Sequence, residues 1–310
     1  MKKQTDISLI IPVYKSQDTL EELYQRVNNV FLKTGFDYEI IFIDDGSGDN
    51  SWFLLEKFCR KDKRVKAIQL TQNFGQHNAI MCGFREAKGK YIITMDDDLQ
   101  NPPEEIPKLI KKINEGYDLV YGEYCYKQHS LFRNLGSAVI QTVYKFIFKV
   151  SGNLTSFRII RREVVKDILE YQRNYTFIDG LLAWQTKNIG YVFVSHDKRR
   201  TGNSGYTLKK LIQLSINMLT NFSIFPLQLA SIIGFVLSFF GIGIGCYFIL
   251  KKILFGIPVT GFASIIASIT VFSGAQLITI GIIGEYIGRI HMNLNNKPQY
   301  RIRKILNNSR

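Results

Sequence analysis

The sequence predicts an α/β domain built on a mostly parallel sheet with flanking helices, followed by amphipathic segments and two membrane-spanning helices. Three observations carry that expectation. Short apolar runs alternate with amphipathic helical segments through the first 122 residues. Two long runs then follow without an ionisable acid or base, Phe222–Leu250 and Ile253–Gly284. Polar clusters recur just after successive apolar runs, where an open α/β sheet gathers its ligands.

The strands are expected at Ile7–Val13, Tyr38–Ile43, Val65–Leu70, Tyr91–Met95 and Leu119–Tyr121, each bounded by turn residues. Between them, Thr19–Leu32, Ser51–Lys61, His77–Ala87 and Glu104–Asn114 have helical apolar spacing. This arrangement predicts a domain over residues 1–206, within which an amphipathic helix spans about 131–149. A juxtamembrane amphipathic helix is expected over 207–221, a hairpin over 222–288 with spans at about 224–250 and 261–285, and a basic tail over 289–310. The two uncharged runs each exceed the roughly 20 apolar residues that cross a bilayer. Arg289, Lys297, Arg301, Arg303, Lys304 and Arg310 lie in the tail 289–310, which holds no acid, so tail and sheet domain are expected on the cytoplasmic side of the inner membrane.

The net charge of +14 is shared equally, +7 in residues 221–310 and +7 in the remainder. Neither share calls for nucleic acid, and a basic segment beside a bilayer suits anionic headgroups. Cys59, Cys82, Cys125 and Cys246 lie far apart, which excludes a zinc ribbon or a dense disulfide framework. Gly241, Gly245, Gly284 and Gly288 give small-residue spacings that permit packing within the hairpin or between protomers, so a homo-oligomer is left open. Glu285 and Arg289 are spaced for an ion pair.

Four polar clusters fall on one predicted sheet edge: Pro12-Val13-Tyr14, Asp44-Asp45-Gly46-Ser47, Asn73-Phe74-Gly75 and Asp96-Asp97-Asp98-Leu99-Gln100. In a near-extended stretch Asp96, Asp98 and Gln100 would point one way and offer oxygens to a hard cation, Mg²⁺ or Mn²⁺. No GxxxxGK[ST] is present, so the chain is not a P-loop nucleotidase.

PVY (Pro12–Tyr14), IDDGSGDNS (Ile43–Ser51), NFGQHNAIMCGF (Asn73–Phe84), MDDDLQNPPEE (Met95–Glu105), SFRIIRR (Ser156–Arg162) and the HxxRxxGxSxY string from His196 to Tyr206 together carry a resemblance. The chain resembles the polyprenyl-phosphate glycosyltransferases of glycosyltransferase family 2: dolichyl-phosphate mannose synthases and the bacterial undecaprenyl-phosphate glucosyl- and aminoarabinosyl-transferases. The resemblance implies a Rossmann-like GT-A domain and continues through both apolar runs to Gly284–Ile290.

By that resemblance Pro12, Tyr14, Asp44 and Asp45 hold the nucleoside, with Asp96 and Asp97 beside the nucleotide sugar. Asp96, Asp98 and Gln100 would hold the metal, and Arg133, Ser137, Arg158, Arg199, Arg200 and Ser204 the acceptor phosphate. Asp98, Arg133 and Arg199 are the catalytic candidates. Two departures stand out: Lys15-Ser16 replaces an Asn-Glu pair common in relatives, and Ser156 stands where an aspartate is frequent. A lipid phosphate is already ionised at neutral pH, so its oxygen needs no base before attacking the anomeric carbon. The expected reaction is a metal-assisted inverting transfer of one sugar to polyprenyl phosphate, with UDP-glucose or another UDP-hexose as donor. Two rivals remain, a processive polysaccharide synthase of the same family and a non-catalytic nucleotide-sugar-binding scaffold. The synthase's QxxRW motif is absent around Trp52 and Trp184.

Overall fold

The computed structural model describes residues 5–124, 147, 152–171, 173, 175–197, 217, 219–255, 261–295 and 297–307. The chain divides into two compact units, Met1–Leu211 together with Asn296–Arg310, and Ile212–Asn295.

The first unit is an α/β sheet domain. Its strands are β1 (Ile7–Val13), β2 (Tyr38–Asp44), β3 (Val65–Leu70), β4 (Tyr91–Thr94), β5 (Leu119–Tyr124), β6 (Arg158–Arg161), β7 (Ile189–Val194) and β8 (Ile302–Asn307). They form one eight-stranded sheet in the order β7-β5-β6-β4-β1-β2-β3-β8. β1 pairs parallel with β2 and β4, and β2 with β3, while β6 is antiparallel to both its neighbours. All seven residues of β1 are buried, as the middle strand of a doubly covered parallel sheet requires.

The helices of this unit are α1 (Leu20–Thr34), α2 (Ser51–Lys61), α3 (Gln76–Glu86), α4 (Ile106–Ile113), α5 (Arg162–Leu169) and α6 (Ile178–Gln185). In α1, Leu20, Leu23, Tyr24, Val27, Val30 and Phe31 form the buried stripe. Glu21 and Glu22 suit its positive end, and Gly35 stops it at φ 72°, its amide bonding the Phe31 carbonyl. The five expected strands and four expected helices are present within a few residues, the last helix preceded by a 3₁₀ turn at Pro103–Glu105.

β6, β7 and β8 were not expected. β8 falls in the region read as a basic tail, which is divided between a helix ending at Leu294 and this strand. Lys304 pairs there with Glu56 at 2.8 Å.

The second unit holds α7 (Phe225–Phe255) and α8 (Phe262–Leu294), both long and apolar enough to cross a membrane. A side-chain carbon added at Gly241 would lie 3.1 Å from the Phe272 ring, so the helices approach closely there. Glu285 and Arg289 form the expected pair at 2.6 Å, and Tyr286 donates its hydroxyl to the Ser223 carbonyl. All but residue 147 of the expected interface helix over 131–149, and most of the juxtamembrane helix over 207–221, lie outside the described residues.

Candidate active site

The order of strands reverses between β1 and β4, since β2 and β3 lie to one side and β6 to the other. Such a switch point opens a crevice at the carboxyl ends of the strands. Tyr14 leaves β1 there, Asp44 and Asp45 leave β2, and Asp96 to Asp98 leave β4.

Two non-glycine residues among those described have positive φ, Lys15 at 55° and Leu99 at 59°. Both lie in these loops, where strained backbone is retained to aim neighbouring groups. Leu99 is buried, so its left-handed turn is anchored by its own side chain. That turn corrects the extended geometry expected for residues 96–100. The segment is bent, and Asp98 Oδ1 accepts the Gln100 amide at 3.1 Å.

The three aspartates are held differently. Asp96 accepts the Gln76 side-chain amide at 2.5 Å on one oxygen and the Ser156 hydroxyl on the other. Asp97 accepts the Tyr14 amide at 3.0 Å and the Ser16 hydroxyl, while its carbonyl accepts Thr19 Oγ1 at 2.6 Å. Burial pushes the Asp96 carboxyl up to about 6 and that of Asp97 up to about 7, each opposed by its hydrogen bonds and reinforced by neighbouring carboxylates.

Asp44 and Asp45 are buried at the end of β2. Asp44 accepts the Ser47 amide at 3.0 Å and the Gln69 side chain at 3.2 Å. Asp45 accepts the amides of Phe74 at 2.7 Å and Gly75 at 2.9 Å, and burial raises its pKa against them. Each carboxylate therefore fastens a loop, with lone pairs remaining for a ligand. Pro12 lies within β1, and Tyr14 is 46% exposed with Lys15 Nζ 5.3 Å from its ring centre.

Asn101 is buried and accepts the Tyr124 hydroxyl at 2.7 Å, and the Tyr124 ring lies 4.1 Å from that of His196. The Asp197 amide donates to the Gln100 carbonyl at 2.9 Å, tying the end of this loop to the segment after β7.

Arg158 requires a correction. It was expected on the acceptor phosphate, but it is 1% exposed and paired with Asp179 in the core. Its Nε donates to Thr94 Oγ1 at 3.1 Å, Thr94 donates to the Ser156 carbonyl at 2.6 Å, and Tyr121 donates to Asp179 at 3.0 Å. Its charge serves a buried network beneath Ser156 and Asp96. The other acceptor-phosphate candidates, Arg133, Ser137, Arg199, Arg200 and Ser204, lie outside the described residues.

Among the described residues no three His, Cys, Asp or Glu side chains form a metal cage by themselves. The chemistry of Asp96, Asp98 and Gln100 nevertheless fits a hard divalent cation that takes its remaining oxygens from a diphosphate. Asp96 and Asp98 repel one another, and a cation would relieve that repulsion. Ser16 and Ser156, notable in sequence only as departures from relatives, and Gln76 all hold this acidic loop, a role none of them was expected to have.

Residues 8–169 match the family described as "Glycosyl transferase family 2". The chain is 39% identical to an undecaprenyl-phosphate 4-deoxy-4-formamido-L-arabinose transferase of Shewanella sediminis, over 97% of this chain and 92% of that one. A protein of the same name from Proteus mirabilis is 36% identical, over 98% and 95%. In fold, the chain is similar to glucosyl-3-phosphoglycerate synthase from Mycobacterium tuberculosis, solved with Mn²⁺ and uridine-diphosphate-glucose. The TM-score is 0.52 at 16% identity, covering 70% of this chain and 77% of that one.

Proposed function

Because the chain belongs to glycosyl transferase family 2, we propose that it transfers one sugar from a nucleoside diphosphate to undecaprenyl phosphate at a membrane face. The observation that carries this reading is the near-full-length similarity to relatives named for that acceptor, which spans the sheet domain and both apolar helices. Those relatives are named for 4-deoxy-4-formamido-L-arabinose, which favours a 4-formamido-pentose over the UDP-glucose expected from sequence. We retain uridine as the base, on the resemblance described above.

Pro12, Tyr14, Asp44 and Asp45 are proposed to receive the nucleoside at the carboxyl ends of β1 and β2, beside the switch-point crevice. Asp96, Asp98 and Gln100 would hold Mg²⁺ or Mn²⁺, which when bound supplies charge neutralisation for the departing diphosphate. Gln76 and Ser156 fix the direction of the Asp96 carboxylate, and Tyr14 and Ser16 that of Asp97. No protein base is assigned, because the acceptor oxygen arrives ionised. Ser156 in particular is a donor to Asp96. Arg133, Ser137, Arg199, Arg200 and Ser204 remain proposed contacts of the acceptor phosphate, where guanidinium groups can pair two oxygens at once.

We place the protein in the inner membrane with the sheet and tail cytoplasmic. The sheet unit takes its chain from both sides of Ile212–Asn295, which supports a hairpin that crosses the membrane and returns. An anionic headgroup surface is the proposed membrane contact, and a homo-oligomer is compatible with the glycine spacing.

The test is a purified-enzyme assay with Mn²⁺ or Mg²⁺, undecaprenyl phosphate and a panel containing UDP-linked 4-formamido-arabinose, glucose and N-acetylhexosamine. One sugar per lipid, transferred fastest from the formamido donor, is expected. A polymer would support the synthase, and a folded protein inactive on the whole panel would support the scaffold.

A further inference from the structure

After α8 ends at Leu294 the chain rejoins the sheet unit within a few residues. Gln299 is buried and donates to the carbonyls of Tyr171 and Arg173 at 3.2 and 3.0 Å. β8 then runs antiparallel to β3 and covers what would be an open sheet edge.

Its contacts continue beyond the end of β3. The Thr71 amide donates to the Arg301 carbonyl at 2.9 Å, and the Arg303 guanidinium donates to the Thr71 carbonyl at 3.1 Å. The register shifts between Gln69, opposite Lys304, and Leu70, opposite Ile302, leaving Arg303 as the bulged residue. A bulge of this kind re-aims a side chain, here back along the strand onto Thr71.

Thr71 opens the loop whose Phe74 and Gly75 amides grip Asp45. The same loop is pressed on the turn after β2. Gly46 has φ 68°, and a side-chain carbon there would lie 2.7 Å from the Gln72 carbonyl carbon. Gln69 itself bonds Asp44. Both carboxylates at the end of β2 thus lean on the segment that β8 clamps.

We infer that Arg303 and the Arg301 carbonyl are positioning groups for the donor-nucleotide loop, so that the strand following the second apolar helix sets donor affinity. This rests on the reading of Asp44 and Asp45 as the nucleoside site.

The experiment measures UDP binding calorimetrically to the full-length protein in detergent with Mn²⁺, alongside steady-state KM values. Arg303→Ala should weaken UDP on the order of threefold to tenfold, the scale of one lost hydrogen bond. The donor KM should rise in parallel, with the undecaprenyl-phosphate KM unchanged and partial recovery in Arg303→Lys. Lys304→Ala, on the same strand as Arg303, cuts the pairing with Glu56 of α2 without touching the loop, and should leave UDP affinity at its original value. Equal UDP affinity in Arg303→Ala and Lys304→Ala would overturn the inference. Arg303 is exposed, so its replacement leaves the core intact; faster hydrogen exchange at Thr71–Gly75 in Arg303→Gln is the second expected readout, and unchanged exchange also overturns it. Asp45→Asn separates the two layers. UDP binding unaffected by that change would remove the nucleoside reading and the inference built on it.

Discussion

Gln76 donates its side-chain amide to Asp96 Oδ1 at 2.5 Å, bringing the first turn of α3 onto the first aspartate of the acidic loop. The other Asp96 oxygen is taken by Ser156. A carboxylate held from both sides by neutral donors has a fixed direction, and the donors themselves add no charge to the site. Metal affinity at this position is therefore expected to depend on Ser156 as well as on the aspartates.

Ser156→Ala should weaken Mn²⁺ about tenfold or more, since hydrogen bonds to charged groups contribute roughly 1.5–3 kcal/mol. Ser156→Asp should weaken it further in the absence of nucleotide or leave Asp96 protonated, because a like charge then faces it. Electron paramagnetic resonance titration with Mn²⁺ checks both, and equal affinities in all three proteins would remove Ser156 from the site.

Asp98→Asn should abolish turnover while preserving the fold. Asp98 adds to the charge repulsion felt by Asp96, so removing it should leave the melting temperature unchanged or higher. Turnover above about one per cent of the original rate would exclude a metal-holding role for Asp98.

The parts legible in sequence were those set by local pattern. β1 to β4 are mostly apolar runs, and their spacing with α1 to α3 gives the parallel half of the sheet. β6 begins and ends in arginine, and β8 carries Arg303 and Lys304, so neither shows a continuous apolar run. The acidic loop was evident, but its partners Gln76, Ser156 and Ser16 stand 20, 60 and 81 positions away, brought in by strand order. The expectation for residues 96–100 failed because buried Leu99 turns left-handed, which periodicity does not encode.

The Arg158–Asp179 pair yields a stability prediction that distinguishes it from an acceptor contact. Removing one member leaves the other charged and buried, at about 3–5 kcal/mol. Arg158→Ala or Asp179→Ala should therefore lower the melting temperature strongly. In Arg158→Lys, which keeps the charge, surviving activity should retain its dependence on undecaprenyl-phosphate concentration. A selective rise in the lipid KM with an unchanged melting temperature would restore Arg158 to the acceptor site.

His77 gives the chain a pH dependence of stability with a definite sign. Its Nδ1 is buried without a hydrogen-bond partner among the described residues, its ring packs edge-on against Phe177 at 5.4 Å, and burial lowers its pKa. The nearby Asp179 carboxylate draws the pKa up and Arg158 pushes it down, with burial outweighing both. Above the ordinary histidine value of about 6.5 the ring is neutral folded or unfolded, and it contributes no pH slope. As pH falls through that value the unfolded chain binds the proton first, so stability falls until the folded pKa is reached. Between about pH 7.5 and 5.5 the melting temperature of the original protein should therefore drop more than that of His77→Asn. The difference between the two curves isolates His77 from the carboxylates common to both, and parallel curves would show that the ring is protonated as readily inside the fold as outside it.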